Sequence, residues 1–203
     1  MAVERVVIVV KIGGSLYDWP ELGPALWAYV AALAPEPVLL VPGGGDFADA
    51  VRKLHGVHGL SEEQSHWLAL ESLWAAASLL RALLPGAGYA AQPTALLGRI
   101  SVLNAHLFCQ SESELPHTWE VTTDSIAARA AIEWQADRLV LLKSLDVPPG
   151  TPWDEAAARG WVDPYFTRAL AGYTGRVEAV NLRTWAGPHD NPKNHFPAGC
   201  RVD

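Results

Sequence analysis

At 203 residues, half of them apolar, the chain can bury a full hydrophobic core without a disulfide framework or a structural metal. A net charge of −7, with lysines and arginines scattered singly, excludes an electrostatic nucleic-acid surface. No apolar run reaches the roughly 18 residues of a membrane span, because Glu71 and Arg81 interrupt the longest stretch, residues 67–84. Cys109 and Cys200 lie far apart and outside any CxxC, as in a reducing compartment, and Met-Ala-Val-Glu-Arg runs into a strand with no basic leader, so a cytoplasmic location is expected. The nine tryptophans read as large, rigid core residues.

In chain order, residues 5–12 form a β-branched run too short for a helix and predict a strand, and residues 19–33 follow as a helix with Asp18 as N-cap. Val38-Leu39-Leu40-Val41 predicts a second buried strand, closed by Pro42 and three glycines. Ser61-Glu62-Glu63-Gln64 has the form of a capping box, and Trp67, Leu70, Leu73, Trp74, Ala77, Leu80 and Leu84 keep helical spacing as far as Pro85-Gly86. Residues 100–108 predict a strand, 111–117 a polar loop, 123–135 an alanine-rich helix, and Leu139-Val140-Leu141-Leu142 the next strand. A proline-rich loop after Leu145, a short helix over 164–170 and a strand over 177–181 complete the pattern. Apolar strands alternating with helices predict an α/β fold, a three-layer αβα sandwich around a central, mostly parallel sheet.

Two glycine clusters follow strands, Gly13-Gly14 after the first and Gly43-Gly44-Gly45 after the second, at the sheet edge where open α/β folds bind ligands. Glycine lets backbone N–H groups face an anion, and a helix N-terminus behind the turn favours phosphate. Either cluster alone is also what a tight turn needs; the two together, with Lys11 beside them, point to a phosphate cradle. It is neither the Walker loop nor the dinucleotide fingerprint, because the glycines are contiguous and Lys11 precedes its pair. Asp124 opens a helix after two threonines, where a carboxylate either caps N–H groups or holds a lysine. Lys143 ends a buried strand, from which it either reaches the crevice or extends to solvent. His55, His58, His66, His106 and His117 lack the HxxxH spacing of a zinc helix.

Val10-Lys11-Ile12-Gly13-Gly14-Ser15, then Val41-Pro42-Gly43-Gly44-Gly45-Asp46-Phe47-Ala48-Asp49, then Thr122-Thr123-Asp124-Ser125-Ile126-Ala127-Ala128, then Leu141-Leu142-Lys143-Ser144-Leu145-Asp146-Val147 resemble, in order, four motifs of the amino acid kinase family. That family includes acetylglutamate, aspartate, carbamate, bacterial uridylate and isopentenyl phosphate kinases, and the similarity runs from residue 5 to about residue 147. The resemblance implies ATP-dependent, in-line phosphoryl transfer to a small acceptor bearing a phosphate or carboxylate, with Mg²⁺ carried on the ATP phosphates and no direct protein ligand to the metal. By the same resemblance Lys11 bridges the transferred group, Asp124 orients it and Lys143 contacts nucleotide phosphate. Gly13, Gly14, Ser15, Gly43, Gly44, Gly45, Asp46, Thr122 and Thr123 surround the phosphates and acceptor, and Ser144, Asp146, Asp163, Tyr165 and Phe166 serve the nucleotide.

Within the family the chain is similar to short members that phosphorylate aminomethylfuranylmethyl phosphate in methanofuran biosynthesis. The pointers are Phe47-Ala48-Asp49-Ala50-Val51-Arg52 after the glycines, Ser65-His66-Trp67-Leu68-Ala69-Leu70, His117-Thr118-Trp119-Glu120-Val121-Thr122 and Val162-Asp163-Pro164-Tyr165-Phe166. An aminomethyl acceptor makes His66 and Asp46 candidates on the acceptor side. Typical members hold adenine in a C-terminal half with further glycines and a second catalytic lysine, whereas residues 148–203 here are short and rich in Pro, Asn and His. The expectation is one domain, residues 1–203, with 1–135 as acceptor and phosphoryl-transfer part and 136–203 as a shortened nucleotide part. In the latter, Asn181 is a remnant of the nucleotide half, 199–202 a closing strand and 191–194 a loop able to act as a lid. Two alternatives stand: another acceptor (a nucleoside monophosphate, a carboxylate or isopentenyl phosphate), or a non-catalytic nucleotide- or anion-binding protein. Long apolar helices with Trp67 and Trp74 add the expectation of a homo-oligomer, with no nucleic-acid or membrane partner.

Overall fold

The computed structural model describes residues 6–93, 98–112 and 114–187. Six strands, β1 (Ile8–Ile12), β2 (Val38–Val41), β3 (Gly88–Ala90), β4 (Ile100–Leu103), β5 (Arg138–Lys143) and β6 (Arg176–Asn181), form one sheet in the order β3-β4-β2-β1-β5-β6. Every pairing is parallel. Parallel neighbours need crossovers, which bring in the helices α1 (Leu22–Ala32), α2 (Gly45–His58), α3 (Glu62–Leu83), α4 (Ala105–Ser111), α5 (Thr123–Glu133), α6 (Trp153–Ala158) and α7 (Phe166–Ala169). The expected αβα sandwich is therefore the architecture observed. No described helix is long and apolar enough to cross a membrane.

Helices on both faces explain why β2 reads as an unbroken apolar run and β1 as one broken only by Lys11, for both strands are buried at every position. Alternation along the strands then sorts the core into two layers. Val7, Val9, Leu139 and Leu141 pack with Ile126, Ala127 and Ala130 of α5. Ile8, Val10, Ile12, Val140 and Leu142 pack with Leu26 and Val30 of α1 on the other side. Lys11 and Lys143 continue the odd-numbered series of neighbouring parallel strands, in which Lys11 pairs with Leu141 and Ile12 with Leu142. Both lysines thus rise toward α5 at the C-terminal edge of the sheet.

The capping box at the start of α3 is present: Gln64 N donates to Ser61 Oγ and Ser61 N to Gln64 Oε1. Other boundaries differ from the sequence reading. Asp18 does not cap α1, which begins at Leu22 after an unassisted Glu21; its carboxylate instead accepts from Arg183 Nη2 at 2.9 Å. The strand expected over 100–108 stops at Leu103, because Asn104 Oδ1 accepts from Leu107 N and opens α4. β3 and α6 arise in short stretches without a clear period. Gly13-Gly14 leads into a single 3₁₀ turn, Gly14–Leu16, so of the two glycine clusters the second alone opens a helix directly. The expected closing strand at 199–202 and loop at 191–194 lie outside the described residues.

Candidate active site

Three charged side chains meet where β1, β5 and α5 converge. Lys11 Nζ lies 2.8 Å from Asp124 Oδ1, and Lys143 Nζ donates to both Asp124 oxygens at 2.8 Å. Lys11, Asp124 and Lys143 retain 5%, 4% and 8% of their surface, so the cluster is two cations sharing one anion away from solvent. Asp124 sits in the first turn of α5 yet holds lysines with its carboxylate, and Lys143 turns inward from its strand end. Burial opposes ionisation of Asp124, but the two ammonium groups outweigh it and hold the carboxyl below its ordinary range. Burial and then repulsion from Lys11 lower the Lys143 pKa to about 8, against the attraction of Asp124. A buried excess of positive charge is unfavourable until an anion completes it.

The helix end that presents Asp124 is secured from across the fold by Asp163. Its Oδ2 accepts from Thr122 N (3.0 Å), Thr122 Oγ1 (2.8 Å) and Ser125 N (3.0 Å), while Oδ1 accepts from Ser125 Oγ (2.5 Å) and Tyr165 N (3.1 Å). Asp163 and Phe166, expected on the nucleotide side, are both engaged within the fold. Asp163 anchors α5, and Phe166 is wholly buried with its ring against Trp153. Tyr165 directs its hydroxyl to the Glu114 carbonyl at 3.4 Å.

The glycine turns interlock beside the charged cluster. A Cβ on Gly14 would stand 2.2 Å from Gly45 N, and one on Gly43 would stand 2.3 Å from Ile12 O, so each position needs glycine for the two turns to touch. Tyr17 fastens them with a hydrogen bond from its hydroxyl to Gly43 O at 2.9 Å. The N-terminus of α2, at Gly45, lies in this wall and adds its dipole.

A cavity of about 240 Å³ opens onto Lys11 and the glycine turns, with Asp124 and Lys143 behind its lining, and is large enough for an organic ligand and not merely an ion. It is lined by Lys11, Gly14, Ser15, Gly44, Gly45, Thr122 and Thr123, and the rest of the wall includes Arg52, His66, Leu70, Leu73, Trp119, Val121 and Ile126. Arg52 stacks its guanidinium over the Trp119 ring at 4.8 Å and pairs with Asp49 at 2.8 Å. Asp46, expected on the acceptor side, is exposed on the first turn of α2 and does not line this cavity. Gly13 and Gly43 lie behind the lining; Gly13 N donates to Leu142 O at 2.8 Å, tying the first turn to β5.

On the β5–β6 side, Ser15 Oγ and Ser144 Oγ share a hydrogen bond of 2.8 Å, and Asn181 Nδ2 donates to Asp146 Oδ1 at 3.0 Å. Arg183 Nη2 donates to Ser15 O at 3.0 Å, placing a guanidinium against the first glycine turn. Sequence reasoning assigned no role to Arg52, Trp119 or Arg183. For Arg52 a signal existed, since Gly45, Ala48 and Arg52 are spaced by three and four along one helix and so share a face. Nothing local marks Arg183.

The fold and site together are an open, all-parallel α/β sheet with a crevice at its C-terminal edge lined by glycines, Lys11 and Arg52. The chain belongs to the amino acid kinase family, whose pattern it matches over residues 6–147. It is 31% identical over 128 residues to [5-(aminomethyl)furan-3-yl]methyl phosphate kinase of Methanocaldococcus jannaschii, a match that spans 59% of this chain and 57% of that protein. The crystal structure of uridylate kinase from Archaeoglobus fulgidus aligns with a TM-score of 0.67 over 92% of this chain and 93% of that one, at 17% identity. UMP kinase from Ureaplasma parvum aligns at 0.61, covering 89% and 91% at 14% identity, and that from Bacillus anthracis at 0.59, covering 90% and 89% at 13% identity. At such identities the three structures establish a shared fold.

Proposed function

We propose that this protein is an ATP-dependent phosphotransferase whose acceptor is a small phosphate monoester, and that the acceptor is an aminomethylfuran phosphate of the kind named for the Methanocaldococcus relative. The observation that carries the reading is the buried Lys11–Asp124–Lys143 cluster beside two interlocked glycine turns, with Lys11, Gly14, Gly44 and Gly45 lining one cavity. The residues suit the phosphates of ATP, because Lys11, Gly14, Gly44 and Gly45 line the cavity together with the N-terminus of α2. Mg²⁺, arriving on the nucleotide, supplies charge neutralisation to the leaving diphosphate.

In the reaction an oxygen of the acceptor phosphate attacks the γ-phosphorus, the bond to the β–γ bridging oxygen breaks, and ADP departs with the electron pair. Lys11 and Lys143 stabilise charge on the transferred group, and Asp124 keeps their ammonium groups in place as that charge shifts. Ser15, Ser144, Asp146 and Arg183 form the nucleotide side, within a division of labour between residues 1–135 and 136–203. The flat apolar wall of Leu70, Leu73, Val121, Ile126 and Trp119 suits a planar ring, with Thr122, Thr123 and Arg52 available to its phosphate. A homo-oligomer belongs to the same reading, supported by the exposed Trp74 and Leu68 on α3.

The test is ADP release and product analysis with ATP, Mg²⁺ and a panel containing the aminomethylfuran phosphate, UMP, isopentenyl phosphate and carboxylates. Turnover is expected with the furan phosphate, and Lys11→Ala is expected to lower it by roughly 10³-fold. ATP binding without turnover of any acceptor would refute the proposal in favour of a non-catalytic nucleotide-binding protein.

A further inference from the structure

The α3 wall of the cavity contains a polar atom that the fold leaves unanswered. His66 is buried at 9% exposure and lines the cavity, and its Nε2 has no hydrogen-bond partner among the described residues. Most buried nitrogens are paired, so an orphan aimed at a ligand space calls for a ligand group.

The neighbours of His66 define what that group is. His117 stacks on it at 4.2 Å and 16°, and His117 Nδ1 meets the Glu63 carboxylate at 2.5 Å. Trp67, edge-on to His66 at 5.3 Å, gives its indole N–H to the same carboxylate at 2.7 Å. Burial first, then His117, lowers the His66 pKa to about 4 against the pull of Glu63, so the ring is neutral at physiological pH. In the tautomer that carries its proton on Nδ1, Nε2 presents a lone pair, and a cationic N–H is the donor that binds a lone pair most strongly. The cations facing the cavity, Lys11 from β1 and Arg52 from α2, suit instead the anionic end of the same ligand. Trp119 Nε1, also buried without a partner among the described residues, can only donate, and so asks for an acceptor atom on the ligand.

We propose that His66 is a specificity-determining residue that accepts a hydrogen bond from a primary ammonium group of the acceptor, so that the cavity selects phosphate monoesters carrying an amine. The identification of the anionic end as a phosphate rests on the phosphotransferase reading above; the amine selection does not depend on transfer taking place.

Calorimetric titration without ATP, using the aminomethylfuran phosphate and its counterpart with methyl in place of aminomethyl, separates the two. Wild-type protein is expected to prefer the amine by roughly 10- to 100-fold, a preference lost in His66→Ala and partly restored in His66→Gln, whose amide oxygen can accept. With turnover measured alongside, the loss should appear in KM for the amine compound more than in its kcat. Amine-selective, His66-dependent binding without phosphoryl transfer would uphold this inference while refuting the kinase. Equal affinity for the two compounds, no binding of either, or a preference that survives in His66→Ala, would overturn it.

Discussion

Replacing Asp124 by asparagine keeps the shape of the side chain and removes the single negative charge that two buried ammonium groups share. At 2.8 Å each contact is worth about 6 kcal/mol at an effective dielectric of 20, before desolvation is set against it. Losing one partner of a buried pair typically costs about 3–5 kcal/mol net, because the remaining charge stays desolvated. Part of that cost is avoidable, since Lys143 is already near 8 and can surrender its proton.

The direction of the pH response follows. Asp124 raises the Lys143 pKa and Lys11 lowers it, so in Asp124→Asn the lysine falls below about 8 and is largely neutral under ordinary assay conditions. In the wild type, activity that needs the Lys143 ammonium falls as pH rises through about 8. In the variant that alkaline limb moves acidward, and kcat drops by roughly 10²- to 10³-fold as one fixed cation is lost and the other loosened. Stability moves the opposite way with pH: the folded pKa of Lys143 lies below its ordinary 10.5, so the unfolded chain binds more protons between the two values. Wild-type stability at this group therefore rises from about pH 8 to 10.5, a gain that starts at lower pH in the variant. ADP release across the pH range and NMR titration of the lysine side chains report both effects. Turnover within about threefold of wild type, with the alkaline limb unmoved, would refute the shared-carboxylate argument.

Two further predictions bear on the scaffold. Gly14→Ala places a methyl 2.2 Å from Gly45 N, whereas Gly56→Ala meets nothing within 4 Å on an exposed face of α2. Urea denaturation should show the first losing about 2–3 kcal/mol or more and the second unchanged or gaining up to about 1 kcal/mol; equal outcomes would mean that the turns do not interlock. Asp163→Ala strands five hydrogen-bond donations onto two carboxylate oxygens, and should lower stability by about 3 kcal/mol or more and kcat with it. A raised KM for ATP with stability unchanged would instead return Asp163 to the nucleotide.

What could be read from the chain divides along sequence distance. Lys11 and Lys143 are both odd-numbered residues on parallel strands whose apolar neighbours Val9 and Leu141 share their parity, so period-two alternation and a parallel sheet put the two ammonium groups on one face. The glycine clusters and Ser61-Glu62-Glu63-Gln64 were legible for a similar reason: turns and caps are made by neighbours in sequence. Asp163 reaches Thr122 and Ser125 across about forty residues, and its motif context suggested a nucleotide ligand, yet three of its five donors are backbone N–H groups that any sequence supplies and the other two are common hydroxyls. Arg183 and Asp18, separated by 165 positions, leave still less trace. A local pattern is thus a dependable guide to where backbone donors will be exposed and a poor guide to which distant carboxylate will take them. That asymmetry explains why the glycine turns were visible at once, while the residue holding α5, and with it Asp124, in position emerged from the three-dimensional arrangement.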